Sequence, residues 1–359
     1  MPKVEFSFGC NYLKSIFSSR WHATNGRHSP DAFNNGTLDI TEGSLPEAIG
    51  RYIIEEEIGR GDMAVVYKGH DPRFDRDVAV KLLPQMLLHD PSFRGLFERE
   101  AKTIAALDHP GIVPVCDFGE FEAEMYLVMR LMQGGTLQDR LKSGRMTLAE
   151  AADVFDRVAP ALDEAHAQGM VHRDLKPANI LFDQREDAYL ADFGIVKLQS
   201  SSATFTGTGI IGTPSYMSPE QARGEEDIDG RSDIYALGAI MFEMLTGEVP
   251  YTAITPMAVV LKHLTDPVPR LPDRDTDLPM ESEFVISRAM AKDPEERFQT
   301  AGEFAKALRA VADGKSLPTE LMSKLSVPVG GSPMATEEAI IGSEAAHPEE
   351  EGSRRKFPL

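Results

Sequence analysis

The sequence predicts an α+β fold of two lobes, a small antiparallel-sheet lobe with one main helix and a larger helical lobe. Over residues 52–83, apolar and polar residues alternate and are interrupted by turns at 59–61 and 71–77, which is typical of a strand meander. Helical apolar spacing dominates residues 232–308 instead. Gly134-Gly135 lie between these halves, where we expect a hinge between the lobes.

The segments between the meander and the helical half predict further elements. Residues 92–107 have helical spacing, and residues 112–118 and 125–129 predict two more strands. Residues 149–168 predict a long helix, which contains Pro160. Because proline lacks the amide hydrogen that a helix interior uses, we expect a kink or a local break there.

Composition and charge limit the classes of partner. The chain has 359 residues, of which 42% are hydrophobic, and a formal net charge of −20. Such a charge repels polyanions, so we expect no nucleic-acid partner. The most apolar stretch, 234–246, contains Glu243 and is shorter than the roughly 20 residues that cross a bilayer, so we expect no membrane insertion.

The cysteines and the two ends of the chain carry further expectations. Cys10 and Cys116 are far apart and allow neither a disulfide framework nor a four-thiolate metal site, which favours a cytoplasmic location. Residues 1–48 show no sustained periodicity and predict a disordered extension, although its aromatic residues leave a docking segment as an alternative. Residues 311–359 predict a disordered acidic tail.

A glycine-rich loop lies within the strand meander. It follows the pattern G-x-G-x-x-G-x-V, except that Ala64 replaces the third glycine. Glycine at the first two positions lets the backbone turn tightly and bring its N–H groups close to phosphate oxygens. A structural hairpin turn is the alternative, because Gly-x-Gly turns are common. The candidate nucleotide-binding residues of the loop are Ile58, Gly59, Arg60, Gly61, Asp62, Met63, Ala64, Val65 and Val66.

Four further motifs follow along the chain. Residues 78–81 read VAVK, a strand that ends in a lysine, although a lysine at a strand end is often only solvated. Residues 172–179 read HRDLKPAN, and residues 192–194 read DFG. Residues 212–220 read GTPSYMSPE.

In this order and at this spacing, the motifs resemble those of a eukaryotic-type protein kinase domain, and in particular those of bacterial (Hanks-type) serine/threonine kinases. The resemblance covers residues 49–310. It implies a bilobal protein kinase fold, with an N-lobe at about 49–132 and a C-lobe at about 133–310. It also implies that ATP and Mg²⁺ are the cofactors.

The resemblance assigns chemistry to individual residues of the two central motifs. Asp174 would orient the acceptor hydroxyl, and Lys176 would lie at the γ-phosphate, which is typical of kinases that act on Ser and Thr. Asn179 and Asp192 would bind Mg²⁺ through oxygen atoms, which are the ligands that this hard cation prefers.

The resemblance also implies a nucleotide site. Lys81 would bind the phosphates as a catalytic residue, with Glu100 on the next helix as its partner and Glu98 as the rival for that role. Arg130 is unusual at the start of the hinge, where an acidic residue is common. The remaining residues implied around adenine, with the gatekeeper at Met129, are Ala79, Met129, Arg130, Met132 and Leu181.

The activation segment carries two kinds of expectation. At its end, Glu220 would pair with Arg297, and Asp233 would hold the backbone of the catalytic loop. Upstream, residues 200–208 are rich in hydroxyl groups, with Thr206 and Thr208 as preferred acceptors of an activating phosphate, unless the loop is merely solvated.

Taken together, these motifs predict a cytoplasmic enzyme that transfers the γ-phosphoryl group of ATP to Ser and Thr hydroxyls of protein substrates. Autophosphorylation of the activation segment would regulate it, through transient self-association. A pseudokinase scaffold and a small-molecule kinase of the same superfamily are the alternatives. The set Lys81, Asp174, Asn179 and Asp192 is complete, which disfavours the first, and the segment 212–220 disfavours the second.

Overall fold

The computed structural model describes residues 45–61, 64–83, 91–193, 214–271 and 278–317, and for 91–93 it describes the backbone alone. The predicted N-terminal extension up to Ser44, loop residues Asp62 and Met63, the hydroxyl-rich segment 200–208 and the tail from residue 318 lie outside these ranges.

The first lobe is a six-stranded antiparallel sheet with one helix. Its elements are β1 Ala48–Ile49, β2 Tyr52–Gly61, β3 Ala64–Asp71, β4 Arg76–Leu82, helix α1 Pro91–Ala106, β5 Val115–Phe121 and β6 Glu124–Arg130. The strands pair in the order β1-β2-β3-β4-β6-β5. The predicted meander and the two later strands therefore form one sheet.

The pleat of β4 separates two hydrophobic clusters. Ala79 belongs to the main core, which continues into the second lobe. Its neighbours Val78 and Val80 point to the opposite face, where they pack with Tyr52 and Tyr67. Because successive strand residues point to opposite faces, this register directs Ala79 and Lys81 to the side that faces the second lobe.

The second lobe is helical, apart from a short hairpin. Its helices are α2 Leu137–Lys142, α3 Leu148–Ala167, α4 Pro219–Arg223, α5 Arg231–Thr246, α6 Pro256–Thr265, α7 Met280–Ala289 and α8 Ala301–Ala312, and its hairpin is β7 Ile180–Phe182 with β8 Ala188–Leu190. Helix α5 is buried along most of its length, as its apolar sequence predicts. In the part of the chain that the structure describes, no helix is both long and apolar enough to span a membrane.

Helix α3 corrects one expectation. It runs through Pro160 without the local break that was one expectation, and a kink there stays a prediction. Pro160 lies on the exposed side of the helix, while Ala159 and Ala161 are buried. A carbonyl group that loses its partner on the solvent side can bind water, so the helix continues.

A buried ion pair attaches the end of the activation segment to the helical lobe, as predicted. The guanidinium of Arg297 donates to both carboxylate oxygens of Glu220, at 2.7 and 2.8 Å. Arg297 also donates to the carbonyls of Ala291 and Arg231. These bonds satisfy most of the donors of a fully buried arginine, which is the condition under which a buried charge is tolerated.

Removing one member of this pair should leave an unpaired buried charge. Arg297→Met is expected to lower the free energy of unfolding by about 3–5 kcal/mol, measured by urea denaturation. Glu295→Gln, which removes the exposed ion pair of Glu295 with Arg231, is the matched control and should change it by about 1 kcal/mol or less. Equal effects of the two substitutions would contradict the assignment.

A buried histidine lies beside the end of the activation segment. His263 of α6 is fully buried, and its Nδ1 lies 2.8 Å from the hydroxyl of Tyr235. Lys292 donates to the backbone carbonyl of His263 at 2.7 Å. Burial, reinforced by the positive charge of Lys292, lowers the pKa of His263 from 6.5 to about 4. The folded chain therefore keeps this ring neutral.

This pKa predicts an acid limit to stability. The pKa of His263 is lower in the folded chain than in the unfolded one. Its contribution to the free energy of unfolding is therefore complete above pH 6.5 and is lost as the pH falls towards 4. The loss should reach at most about 3 kcal/mol. Denaturant titrations of the parent and of His263→Gln between these pH values test it. The variant should show a shallower decline, and identical slopes would contradict the prediction.

Candidate active site

The catalytic loop is attached to α5 through its backbone. The carboxylate of Asp233, in the first turn of α5, accepts the N–H of His172 at 2.8 Å and that of Arg173 at 2.9 Å. His166 of α3 lies 2.8 Å from the same carboxylate. Arg173 has φ +62°, a left-handed conformation that costs a non-glycine residue about 1–2 kcal/mol. The bonds to Asp233 hold it there, as predicted.

The two predicted catalytic side chains of this loop lie together. Lys176 Nζ donates to Asp174 Oδ2 at 2.9 Å, and both side chains are partly exposed. The side-chain amide of Asn179 donates to the backbone carbonyl of Asp174 at 2.8 Å, which fixes its orientation. The segment 174–179 thus presents a carboxylate, an ammonium group and an amide oxygen close together.

Asp192 and Lys81 meet across the two lobes. Lys81 Nζ lies 2.7 Å from Asp192 Oδ1. Asp192 has φ +59°, and it follows Ala191, whose carbonyl lies 2.9 Å from His172 Nε2. The next residue, Phe193, is buried with its ring 4.8 Å from that of His172. This packing holds the Asp192 backbone in its strained conformation.

The expected pair of Lys81 with Glu100 is not formed. Within the described residues, the ion-pair partner of Glu100 is its neighbour Arg99, at 3.7 Å, and Lys81 is bound by Asp192. Glu98, the rival for the role, pairs with Lys102 on the same helix.

The apolar side chains of the predicted nucleotide site belong to one hydrophobic cluster, and the expected adenine site between them is called the slot. Its roof comes from the sheet, and its floor includes the middle residue of β7. The members of the main hydrophobic cluster among the predicted nucleotide-binding residues are Ala64, Val66, Ala79, Met129, Met132 and Leu181. Met129 is almost completely buried, which fits the position of a gatekeeper beside the slot. Six side chains that are widely spaced in the sequence thus form one surface.

The glycine loop is described in part. Gly59 and Gly61 pair with Val66 and Ala64 in the β2–β3 hairpin. Arg60 turns outward and donates to Glu57 at 2.8 Å. Ile58 is 46% exposed, which leaves an apolar side chain uncovered. The expectations for Asp62 and Met63 fall outside the described residues.

The side chain of Val65 points away from the slot, and its assignment to the nucleotide-binding loop stays a prediction. Its side chain packs on the opposite face of the sheet, with the cluster that contains Tyr67 and Val80, and not on the slot. Adjacent strand residues must point to opposite faces, so Val65 and Val66 cannot both line the slot. Only the side chain of Val66 does so.

One polar pair beside the site was not predicted. The hydroxyl of Tyr216 donates to Glu243 Oε2 at 2.6 Å. Burial raises the pKa of Glu243, and the bond from Tyr216 offsets part of this shift. Tyr216 also lines a small cavity with Arg173, Asp174 and Lys176. The only sequence signal was a carboxylate within the apolar stretch 234–246.

Comparison with known proteins agrees with this geometry. Residues 52–308 match the family description "Protein kinase domain". The chain belongs to the protein kinase family. Kinase domains of this family use ATP and Mg²⁺, and they act on protein substrates.

Similar kinases come from actinobacteria. The chain is 43% identical over 270 residues to the serine/threonine-protein kinase PknJ of Mycobacterium tuberculosis, which covers 73% of this chain and 46% of that protein. It is 40% identical over 277 residues to PknB of Mycobacterium leprae, which covers 75% of this chain and 44% of that protein. The chain therefore spans less than half the length of these relatives.

The fold is also that of solved kinase structures. The crystal structure of the Mycobacterium tuberculosis PknI kinase domain matches with a TM-score of 0.62 and 31% sequence identity, over 75% of this chain and 100% of that domain. The match confirms the predicted bilobal kinase fold.

Two carboxylates of the kinase domain should differ in their effect. Asp174→Asn is expected to lower the rate of phosphoryl transfer by about 10²–10⁴ while leaving ATP affinity close to that of the parent. Asp192→Asn should lower both, because Asp192 is the predicted metal ligand. Steady-state kinetics measures the rate of phosphoryl transfer, and nucleotide titration measures the affinity for ATP.

Asp153→Asn is the matched control, because Asp153 forms an exposed pair with Arg309 on the helical lobe. It should retain the activity of the parent. Full activity of Asp174→Asn would contradict the catalytic assignment.

Proposed function

We propose that this chain is a serine/threonine protein kinase that transfers the γ-phosphoryl group of ATP to hydroxyl groups of proteins. The observation that carries the proposal is the meeting of Lys81 with Asp192 at 2.7 Å and of Lys176 with Asp174 at 2.9 Å beside one apolar slot. Phosphoryl transfer needs mainly positioning and charge stabilisation, and these groups supply both.

Each residue has a role in this proposal. The apolar slot takes the adenine ring between Ala79 and Leu181. Asp174 accepts a hydrogen bond from the acceptor hydroxyl and orients its oxygen, and Lys176 stabilises the negative charge on the transferred group. Lys81 binds the phosphates. The relatives named as serine/threonine kinases support Ser and Thr as the acceptors.

Asn179 and Asp192 fit Mg²⁺ by the chemistry of their donor atoms. Both offer oxygen ligands, and the amide nitrogen of Asn179 is occupied by the carbonyl of Asp174, so its oxygen is the atom that remains for a cation. When bound, Mg²⁺ neutralises the charge of the phosphates. Glu100 stays a proposed partner of Lys81, whose ammonium group has three N–H donors and can bind a second carboxylate beside Asp192.

The surroundings of the enzyme are part of the proposal. We place it in the cytoplasm, because its two cysteines are widely spaced and suit a reducing compartment. Its partners would be protein substrates and, transiently, a second copy of the chain for autophosphorylation. The net charge of −20 disfavours nucleic acid.

Mass spectrometry of the purified chain after incubation with Mg·ATP tests the function. The parent should gain phosphate on Ser or Thr residues, with Thr206 and Thr208 as the first candidates, whereas Asp174→Asn should gain none. A generic protein substrate, assayed in parallel, should be phosphorylated by the parent alone. Phosphate on neither protein would contradict the proposed function.

Regulation by autophosphorylation is tested with a separate variant. Replacing Thr204, Thr206 and Thr208 together by Ala should leave ATP affinity close to that of the parent and lower turnover. A triple variant as fast as the ATP-treated parent would contradict regulation by autophosphorylation, and leave the kinase activity standing.

A further inference from the structure

Arg130 lies where the sheet lobe ends. It is the last residue of β6, its N–H donates to the carbonyl of Pro114 at 3.0 Å, and it pairs with Val78 of β4. Its backbone is therefore part of the sheet. Its side chain is not directed into the slot, because it reaches Asp183 and Tyr189 of the helical lobe.

Asp183 is an anion that the helical lobe holds in place. It follows β7 directly, and its Oδ1 accepts the N–H groups of Arg185 at 2.8 Å and of Asp187 at 3.2 Å. Although burial opposes ionisation, these backbone hydrogen bonds hold the pKa of Asp183 below its ordinary value. A buried, charged carboxylate thus stands beside the hinge.

The second oxygen of Asp183 faces Arg130. Arg130 Nη2 lies 3.5 Å from Asp183 Oδ2, and the hydroxyl of Tyr189 donates to the same oxygen at 3.3 Å. The guanidinium carbon also lies 5.5 Å from the centre of the Tyr189 ring, within the range of a cation–π contact. Arg130 therefore connects the last residue of the sheet with a hairpin of the helical lobe.

This connection lies next to both surfaces of the slot. Ala79, in the roof, pairs in the sheet with Met129, the neighbour of Arg130. Leu181, in the floor, lies two residues before Asp183 and pairs with Tyr189 across the hairpin. A change in the distance between Arg130 and Asp183 is thus transmitted to roof and floor through at most two residues of regular strand.

The Arg130–Asp183 pair lies between backbone contacts that also join the two lobes. A polar cavity of about 610 Å³, lined by Arg130, Asp183 and Tyr189 among others, occupies this position, so close packing does not connect the lobes here. The far end of the hinge is attached differently, because the N–H of Gly134 donates to the carbonyl of Phe182 at 2.8 Å. Near the start of β5, the N–H of Val113 donates to the carbonyl of Leu190 at 2.8 Å, so the Arg130–Asp183 pair adds a side-chain link to backbone links on either side.

We propose that the Arg130–Asp183 pair sets the width of the adenine slot from outside, which makes Arg130 a positioning residue for the nucleotide. The inference rests on the proposed function, since it assumes that the slot binds ATP. It gives a role to the arginine that is unusual for the hinge of a kinase. The side chain acts on the nucleotide through the two strands, without touching it.

Four variants of the full chain test the pair. Arg130→Gln removes the positive charge, and Asp183→Asn removes the negative charge while its amide oxygen can still accept the N–H groups of Arg185 and Asp187. The double variant combines them. Arg140→Gln is the matched control, because Arg140 also contacts an aromatic ring of this hairpin, that of Phe182 at 3.3 Å, and pairs with Glu186, yet both of its ends belong to the helical lobe.

The measurements are the Kd for Mg·ADP by titration calorimetry, and KM for ATP and kcat. We expect each of the two single variants to weaken ADP binding by about two- to fivefold and to raise KM for ATP more than it changes kcat. The double variant should be no weaker than either single variant. Arg140→Gln should bind ADP like the parent.

Three outcomes would overturn the inference: parental affinity in Arg130→Gln and Asp183→Asn, additive losses in the double variant, or an equal loss in Arg140→Gln. Failure of the parent itself to bind ADP would refute the proposed function and the inference with it. The two failures are therefore distinguishable. Thermal unfolding of all variants separates a loss of affinity from a loss of folded protein.

Discussion

The carboxylate of Asp233 is the point to which the catalytic loop is fixed. It is buried, and a buried carboxylate is costly unless donors surround it. The N–H groups of His172 and Arg173 and the ring of His166 supply those donors. The buried charge of Asp233 and the backbone N–H groups of the loop therefore stabilise each other, because each would lack a hydrogen-bond partner without the other. The left-handed backbone of Arg173, which directs the next residue, Asp174, towards the cleft, is tolerated because of these bonds.

From that point the site extends across two lobes. Asp174, Lys176 and Asn179 are positioned by the loop itself, whereas Lys81 is positioned by a strand of the other lobe. The ion pair between Lys81 and Asp192 joins the two sets. The packing of Phe193 on His172 connects the same two regions through apolar contact. The geometry of the site thus depends on how the two lobes are positioned against each other, and not on one motif alone.

The sequence alone predicts the fold, the order of the motifs and the apolar members of the slot, because glycine turns, strand alternation and short motifs are local signals. It does not predict which carboxylate binds Lys81, since that depends on the position of α1 relative to the DFG aspartate. The loop pattern groups Val65 with Val66 and does not contain the strand register, which directs their side chains to opposite faces of the sheet. The Tyr216–Glu243 pair joins two segments that are distant in the sequence, and no local sequence pattern around either residue predicts it.

The capping of α4 has a consequence for how this chain can be modified. The tripeptide Met217-Ser218-Pro219 reads like a recognition sequence for proline-directed modifying enzymes. In the fold, however, the hydroxyl of Ser218 is fully buried, caps α4 by accepting the N–H of Gln221, and contacts Ser232 at 3.1 Å. A modifying enzyme could reach that oxygen only after the first turn of α4 had unwound beside the Glu220–Arg297 pair. Ser218 is thus a structural hydroxyl, protected by the geometry that its own segment creates.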